Sequence, residues 1–187
     1  MLGVACNNGE KSSEVASVEV LNNDTLTTDV STKENSSTSS NLLIERNQFY
    51  GVQLQDSFFE LLKKYPGRFK KSVKRTGEGS FNVYKIIGED GAHLANIYPD
   101  QKDENLVGQI EIISSDAKTE NEIQIGNTFK DLSMKEGTLE VHGSESEGRT
   151  YASKDGIYYR LEMNHFSYDL EKSSIQPDIK IIEIVIR

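Results

Sequence analysis

Arg149 and Tyr151 stand at the end of a glycine-bounded polar loop, Gly143-Ser144-Glu145-Ser146-Glu147-Gly148, with Tyr158, Tyr159 and Tyr168 close behind in sequence. An arginine beside tyrosines can clamp a carboxylate with its planar fork or stack on a flat group. The same arginine can instead pair with Glu145 or Glu147 while the tyrosines pack a sheet. Glu111 and Glu183 sit at matching places between isoleucines, in Ile110-Glu111-Ile112 and Ile182-Glu183-Ile184. Two symmetric carboxylates could do acid–base chemistry on a glycosidic bond. Alternation with period two instead puts both on the polar face of a sheet, where solvated carboxylates are expected. His93, His142 and His165 lie far apart, with no partner at ligand spacing. No catalytic residue, metal site or cofactor is therefore expected, and the chain is read as a non-enzyme. Arg149 and Tyr151 are its ligand-binding candidates.

The only cysteine, Cys6, follows Met1-Leu2-Gly3-Val4-Ala5 and precedes Asn7-Asn8-Gly9. Small residues running into a cysteine and then a polar tract resemble the end of a bacterial lipoprotein signal peptide, of the Bacteroidetes type. That resemblance implies lipidation at Cys6. Five residues precede the cysteine, whereas an export signal needs an apolar stretch of roughly 7–15 residues. Positions 1–6 are thus expected to be a truncated signal remnant. From 7 to 43 the chain is Ser, Thr, Asn, Glu and Asp with scattered aliphatics, a polar linker that cannot offset the entropy of ordering. As a coil of about 35 residues it would span on the order of 30–35 Å. Asp24-Thr25-Leu26 looks like the short O-glycosylation motif of Bacteroidetes envelope proteins. The expected location is the bacterial envelope, lipid-anchored in the outer membrane.

Residues 44–187 are the size of one domain. Lys and Arg total 21 against 30 Asp and Glu, a formal charge of -9, which opposes nucleic acid as a partner and repels anionic headgroups. Contact with a membrane is expected through the lipid anchor alone, and the remaining partner is an unidentified protein or small molecule. The one basic cluster, Lys63-Lys64 with Arg68 to Arg75, is read as a helix end followed by a solvated connection. One cysteine excludes an internal disulfide.

The elements that would position these residues occur twice. Val52-Gln53-Leu54-Gln55-Asp56-Ser57-Phe58-Phe59-Glu60-Leu61 aligns without gaps on Ile123-Gln124-Ile125-Gly126-Asn127-Thr128-Phe129-Lys130-Asp131-Leu132. The closing strands Gly108 to Ile113 and Lys180 to Ile186 share nearly that offset, so repeats of about 49–115 and 120–187 are expected. Each begins with a short strand (52–54, 123–125) and a capping-box start, Ser57-x-x-Glu60 or Thr128-x-x-Asp131. Phe58, Leu61, Leu62 and Tyr65 form one apolar stripe, ended by Pro66-Gly67. Phe129 and Leu132 point inward on a shorter helix stopped at Gly137. Hairpins follow, Ser80–Ile87 with Ala92–Tyr98 and Arg149–Ser153 with Ile157–Met163. Gly77-Glu78-Gly79 is a loop signal. In the last strand Ile182, Ile184 and Ile186 are expected to share a face, and the strand to be central. The fold class is α+β: two pseudo-repeats of a short helix plus antiparallel strands, packed as one domain.

The lipobox, polar spacer, paired helix starts and closing Lys-Ile-Ile-x-Ile-x-Ile-Arg strand resemble a family of small stress-regulated bacterial outer-membrane lipoproteins of unknown function. The likeness covers roughly Phe49 to Arg187 and is best at 123–129 and 178–187, with Gln55 where the pattern has glycine. The helix starts also look like the tandem repeats of beta-lactamase inhibitor and outer-membrane assembly lipoproteins. Those are binding modules, and no catalytic residue carries over. The resemblance implies an interaction module, with a small-molecule carrier or sensor at 143–151 as the alternative and an enzyme as the third option.

Overall fold

Isoleucine, valine and tyrosine alternate with polar residues through most of the folded region, which sets the chain into strands. The computed structural model describes residues 42–76 and 79–187. Cys6, the linker up to Asn41, Asp24-Thr25-Leu26 and the Gly77-Glu78 dipeptide lie outside the described residues. The fold is mixed, mostly strands in two sheets, with two α-helices among the described residues.

The small sheet has strands β1 (Leu43–Glu45), β2 (Gln48–Phe49), β3 (Val52–Gln53) and β8 (Lys118–Thr119), in the order β3-β2-β1-β8. The large sheet has β4 (Phe69–Thr76), β5 (Gly79–Ile87), β6 (His93–Pro99), β7 (Val107–Ile112), β9 (Glu140–His142), β10 (Arg149–Lys154), β11 (Ile157–Asn164) and β12 (Ile181–Ile186). Its order is β4-β5-β6-β7-β12-β11-β10-β9, antiparallel throughout. Helices α1 (Phe58–Lys64) and α2 (Phe129–Glu136) bury Phe58, Leu61, Phe129 and Leu132 in the core with Ile97, Ile110, Ile112, Tyr159, Ile184 and Ile186. Burying one such isoleucine contributes roughly 1.5–3 kcal/mol, so the junction of β7 and β12 is the apolar centre.

Both hairpins form, with turns at Glu89-Asp90-Gly91 and Asp155-Gly156. β12 is central, between β7 and β11. Ile182 is nevertheless 40% exposed while Ile181 is fully buried. Arg160 pairs with Glu183 and the next residue, Leu161, with Ile181, so a bulge inserts Ile182 into β12 and breaks the alternation. The basic cluster is not a connection: Phe69–Thr76 is an eight-residue edge strand. Leu62 leaves the expected apolar stripe and is exposed, because α1 meets the core only along Phe58 and Leu61.

The two strand-to-helix turns carry the same hydrogen bonds. Gln55 N–H donates to Val107 O (2.7 Å) and Gly126 N–H to Ile181 O (2.8 Å). Phe58 N–H donates to Asn105 O (2.9 Å) and Phe129 N–H to Ile179 O (2.7 Å). Asp56 Oδ2 accepts from Gln53 N–H at 2.8 Å, and Asn127 Oδ1 from Gln124 N–H at 2.9 Å. Gln55 and Gly126 both have positive φ, 68° and 94°. Only the second capping box forms: Thr128 Oγ1 accepts from Asp131 N–H at 3.2 Å, and Asp131 Oδ2 accepts from Thr128 N–H at 3.0 Å. Ser57 makes no side-chain cap bond, and the longer Glu60 side chain is exposed. Residues 123–125, expected as a strand, are irregular, and Ile123 only closes a turn on Thr119 of β8, its N–H donating to Thr119 Oγ1 at 3.1 Å and its carbonyl accepting from Thr119 N–H at 2.9 Å.

Candidate functional site on the outer sheet face

Alternation in the large sheet sends Ile110, Ile112, Ile184 and Ile186 to the core and Glu111 and Val185 to the opposite face. The register extends that outer row from Lys85 through Asn96, Glu111, Val185 and Tyr158 to Ser153, crossing six strands. Glu111 is buried, 6% exposed, and not solvated as the alternation alone suggested. Three donors reach its carboxylate: Lys74 Nζ at 2.8 Å, Tyr98 O–H at 2.6 Å and Asn96 Nδ2 at 2.7 Å. Lys74 Nζ also donates to Tyr98 Oη at 2.5 Å, and a ring nitrogen of His93 lies 2.9 Å from Asn96 Oδ1. Burial pushes the Glu111 carboxyl upward, but hydrogen bonds from Lys74, Tyr98 and Asn96 outweigh it and leave it below the usual carboxylate range. Burial, then the hydrogen bond to Glu111, pushes the Tyr98 hydroxyl far above its ordinary value. The group is an ionised carboxylate with its cation, held at the sheet centre.

The Glu183 carboxylate is less buried than that of Glu111 and pairs with Arg160 Nη1 at 3.4 Å. Beside it lies an aromatic and cationic cluster. His142 stacks on Tyr151 (5.6 Å between centroids, 29°) and on Tyr168 (6.3 Å, 25°) and meets Tyr158 edge-on. The Arg187 guanidinium lies 4.0 Å from the Tyr158 ring centroid and 5.5 Å from that of Tyr151, within cation–π range. Arg187 also lines an open groove of about 590 Å³ whose wall includes Phe81, Tyr98, Asp100, Lys102 and Gln109. That volume suits a small ligand. A Cβ on Gly108 would sit 2.5 Å from the Asp100 Cα, so glycine is what lets β7 pass close under the groove's rim.

The candidates from sequence lie on this face. Arg149 Nε is 2.9 Å from Glu147 Oε2, in an ion pair that is about one-third exposed. Burial lowers the Arg149 pKa, but the hydrogen bond with Tyr151 and the charge of Glu147 raise it overall. Tyr151 is 8% exposed under His142 and Arg187. Neither residue lines the 590 Å³ groove. Arg187, Tyr98 and Asn96 give no signal in the sequence, while His142 reads there as an isolated histidine and Lys74 as part of a solvated basic cluster. Alternation in β6 puts Asn96 and Tyr98 on one face, but only the pairing of β6 with β7 brings them to Glu111.

A second groove, of about 610 Å³, is lined by Leu43, Arg46, Glu136, Lys154, Asp155 and Tyr159 among others. Glu136, 8% exposed, accepts from Asn121 Nδ2 (3.0 Å), Lys154 Nζ (3.3 Å) and Tyr159 O–H (3.4 Å). Lys154 Nζ also donates to the Glu136 carbonyl at 2.6 Å, which places a cation at the C-terminus of α2. Burial first, then the Glu136 charge, pushes the Tyr159 hydroxyl well above its usual value. Among the described residues no group of three or more His, Cys, Asp and Glu could hold a metal ion, and no helix is long and apolar enough to cross a membrane.

No family model matches the chain, and no curated protein matches it. Among solved structures it is similar to the uncharacterized protein yfeY from Escherichia coli, at 14% identity over 73% of this chain and 92% of that chain, with a TM-score of 0.46.

Proposed function

We propose that this chain is a non-enzymatic binding module of the bacterial envelope, tethered to the outer membrane by lipid on Cys6, with the outer face of its large sheet as the ligand side. The observation that carries the ligand side is Arg187, which stacks on Tyr158 and Tyr151 and also lines the adjoining groove. A planar cation laid on rings beside an open cleft favours a flat or carboxylate-bearing ligand. Arg149 contributes to the same face, its charge balanced by Glu147. Benzoate is a suitable probe. On titration the His142 ring resonances should shift, and Arg187→Ala should abolish the shift without lowering the melting temperature. Unmoved His142 signals would remove this face as the ligand side.

The tether rests on the sequence around Cys6. Expressed from its native gene, the protein should show globomycin-sensitive processing at Cys6 and fractionate with the outer membrane. Unprocessed protein in the cytosol would overturn the tether. We further infer that the two halves descend from one duplicated unit. Support comes from the matched hydrogen bonds at Gln55 and Gly126, at Phe58 and Phe129, and from a strand order that mirrors across the β7–β12 pair.

A further inference from the structure

We propose that the β4–β5 hairpin and the end of α1 form a docking surface for an anionic phospholipid bilayer, independent of any lipid on Cys6. Residues 63–75 hold seven of the 21 cations and no carboxylate, while the rest of the chain has fourteen cations against 30 carboxylates. The overall acidity therefore conceals a segregated charge. At physiological salt the screening length is about 8 Å, so a surface at this edge meets these cations and the few carboxylates beside them, Glu60 on α1 and Asp100 and Glu104 across the groove from Phe81.

The structure places these cations at one margin. β4 is the edge strand, and α1 ends in Lys63 and Lys64 before turning at Pro66-Gly67 directly into it. Lys70 pairs across the hairpin with Lys85, a like-charge juxtaposition that weakens a sheet. Among the described residues, none of Lys63, Lys64, Lys70, Lys71 and Lys85 is within ion-pair distance of a carboxylate. Lys74 is the exception, committed to Glu111. Cations on an edge strand guard it against pairing with other chains, which accounts for Lys70 and Lys71. It does not account for Lys63 and Lys64 on the helix, nor for the apolar side chains among them. Val73 is 54% and Phe81 43% exposed, and β4 pairs Lys74 with Phe81 and Val73 with Asn82. Alternation puts Val73 with Lys71 on one side of the hairpin and Phe81 with Lys70 and Lys85 on the other, so an edge-on approach brings both sets to the headgroup boundary, where apolar groups enter the acyl edge and ammonium groups meet phosphates.

The test is sedimentation of the full chain carrying Cys6→Ser, which cannot be lipidated, with vesicles of phosphatidylcholine or of an equal mixture of phosphatidylcholine and phosphatidylglycerol. Binding should be confined to the anionic vesicles and should fall roughly tenfold or more when sodium chloride is raised to molar levels. Lys63→Glu with Lys64→Glu, exposed on a helix end, should reduce binding as Lys70→Glu with Lys71→Glu does, each without change in the melting temperature. Phe81→Ser should weaken binding several-fold and preserve its salt dependence. Binding that ignores lipid charge, or that survives both double reversals, would overturn the surface. So would displacement by inorganic phosphate beyond that by chloride of equal ionic strength, which marks a small-anion site. Because Cys6 is absent from the test, its failure leaves the tether untouched.

Discussion

The half carrying α1 and the half carrying α2 enter their helices through the same turn yet diverge in polar chemistry. In the first, Glu111 is buried with Lys74, Tyr98 and Asn96 around it; in the second, the matching position is Val185, which pairs with Glu111 across β7 and β12, and the carboxylate of Glu183, opposite Gln109 in the match, keeps one long ion pair with Arg160. The first half ends the sheet with a basic strand of eight residues, the second with a strand of three. The second half spends its polar residues elsewhere, on a complete capping box and on Glu136 and Lys154 at the end of α2. Backbone hydrogen bonds tolerate such divergence because they do not depend on side-chain identity. What each half can bind is set by the positions at which they differ.

Replacing the two glutamates gives the largest expected contrast. Glu111→Ala leaves Lys74, Tyr98 and Asn96 without their shared acceptor and should cost about 2–3 kcal/mol, since Lys74 is partly exposed and can rehydrate. Glu183→Ala should cost under about 1 kcal/mol. Urea midpoints measure both, and equal losses would erase the distinction. Acid should also act through Glu111. Because folding lowers the Glu111 pKa, the stability it supplies is complete above the ordinary carboxyl value of about 4.3 and is lost as pH falls through the lowered value. Glu111→Gln should flatten that acid limb of the stability curve.

The helix starts offer a smaller contrast. Thr128→Ala removes a working cap and should cost about 1 kcal/mol, against a few tenths for Ser57→Ala, whose side chain makes no cap bond. A similar loss at both sites in thermal melts would mean that Ser57 caps α1 in solution. The turns before them supply a contrast of sign. Gln55 bears a side chain at φ 68°, where its counterpart is glycine. Gln55→Gly should relieve up to about 0.5 kcal/mol, and Gly126→Ala should cost about 1 kcal/mol although open space surrounds it. Stabilisation by Gly126→Ala would show that the two turns differ in solution.

Much of the local architecture was legible in the residues. The Asp155-Gly156 turn, the helix end at Gly137, the central placement of the last strand and the inward row Ile157, Tyr159, Leu161 and Met163, its last member only partly buried, follow from neighbouring residues and short periods. The Lys74–Glu111 pair did not, because it joins residues 37 apart and depends on β4 leaning across β5 and β6. The basic run showed its charge but not its strand, since lysine is a poor strand former and only pairing with β5 extends it.

The sequence by itself determined the polar tract behind Cys6, the two matched helix starts, the hairpins and the segregation of cations into residues 63–75. These depend on composition and on contacts a few residues long. Tertiary structure alone decided that Glu111 is buried, that Ile182 is pushed outward by a bulge, and that Arg187 lies over Tyr158 and Tyr151. Each depends on register between strands distant in the chain. A shift of one residue exchanges the two faces of a strand, so the choice belongs to the whole sheet.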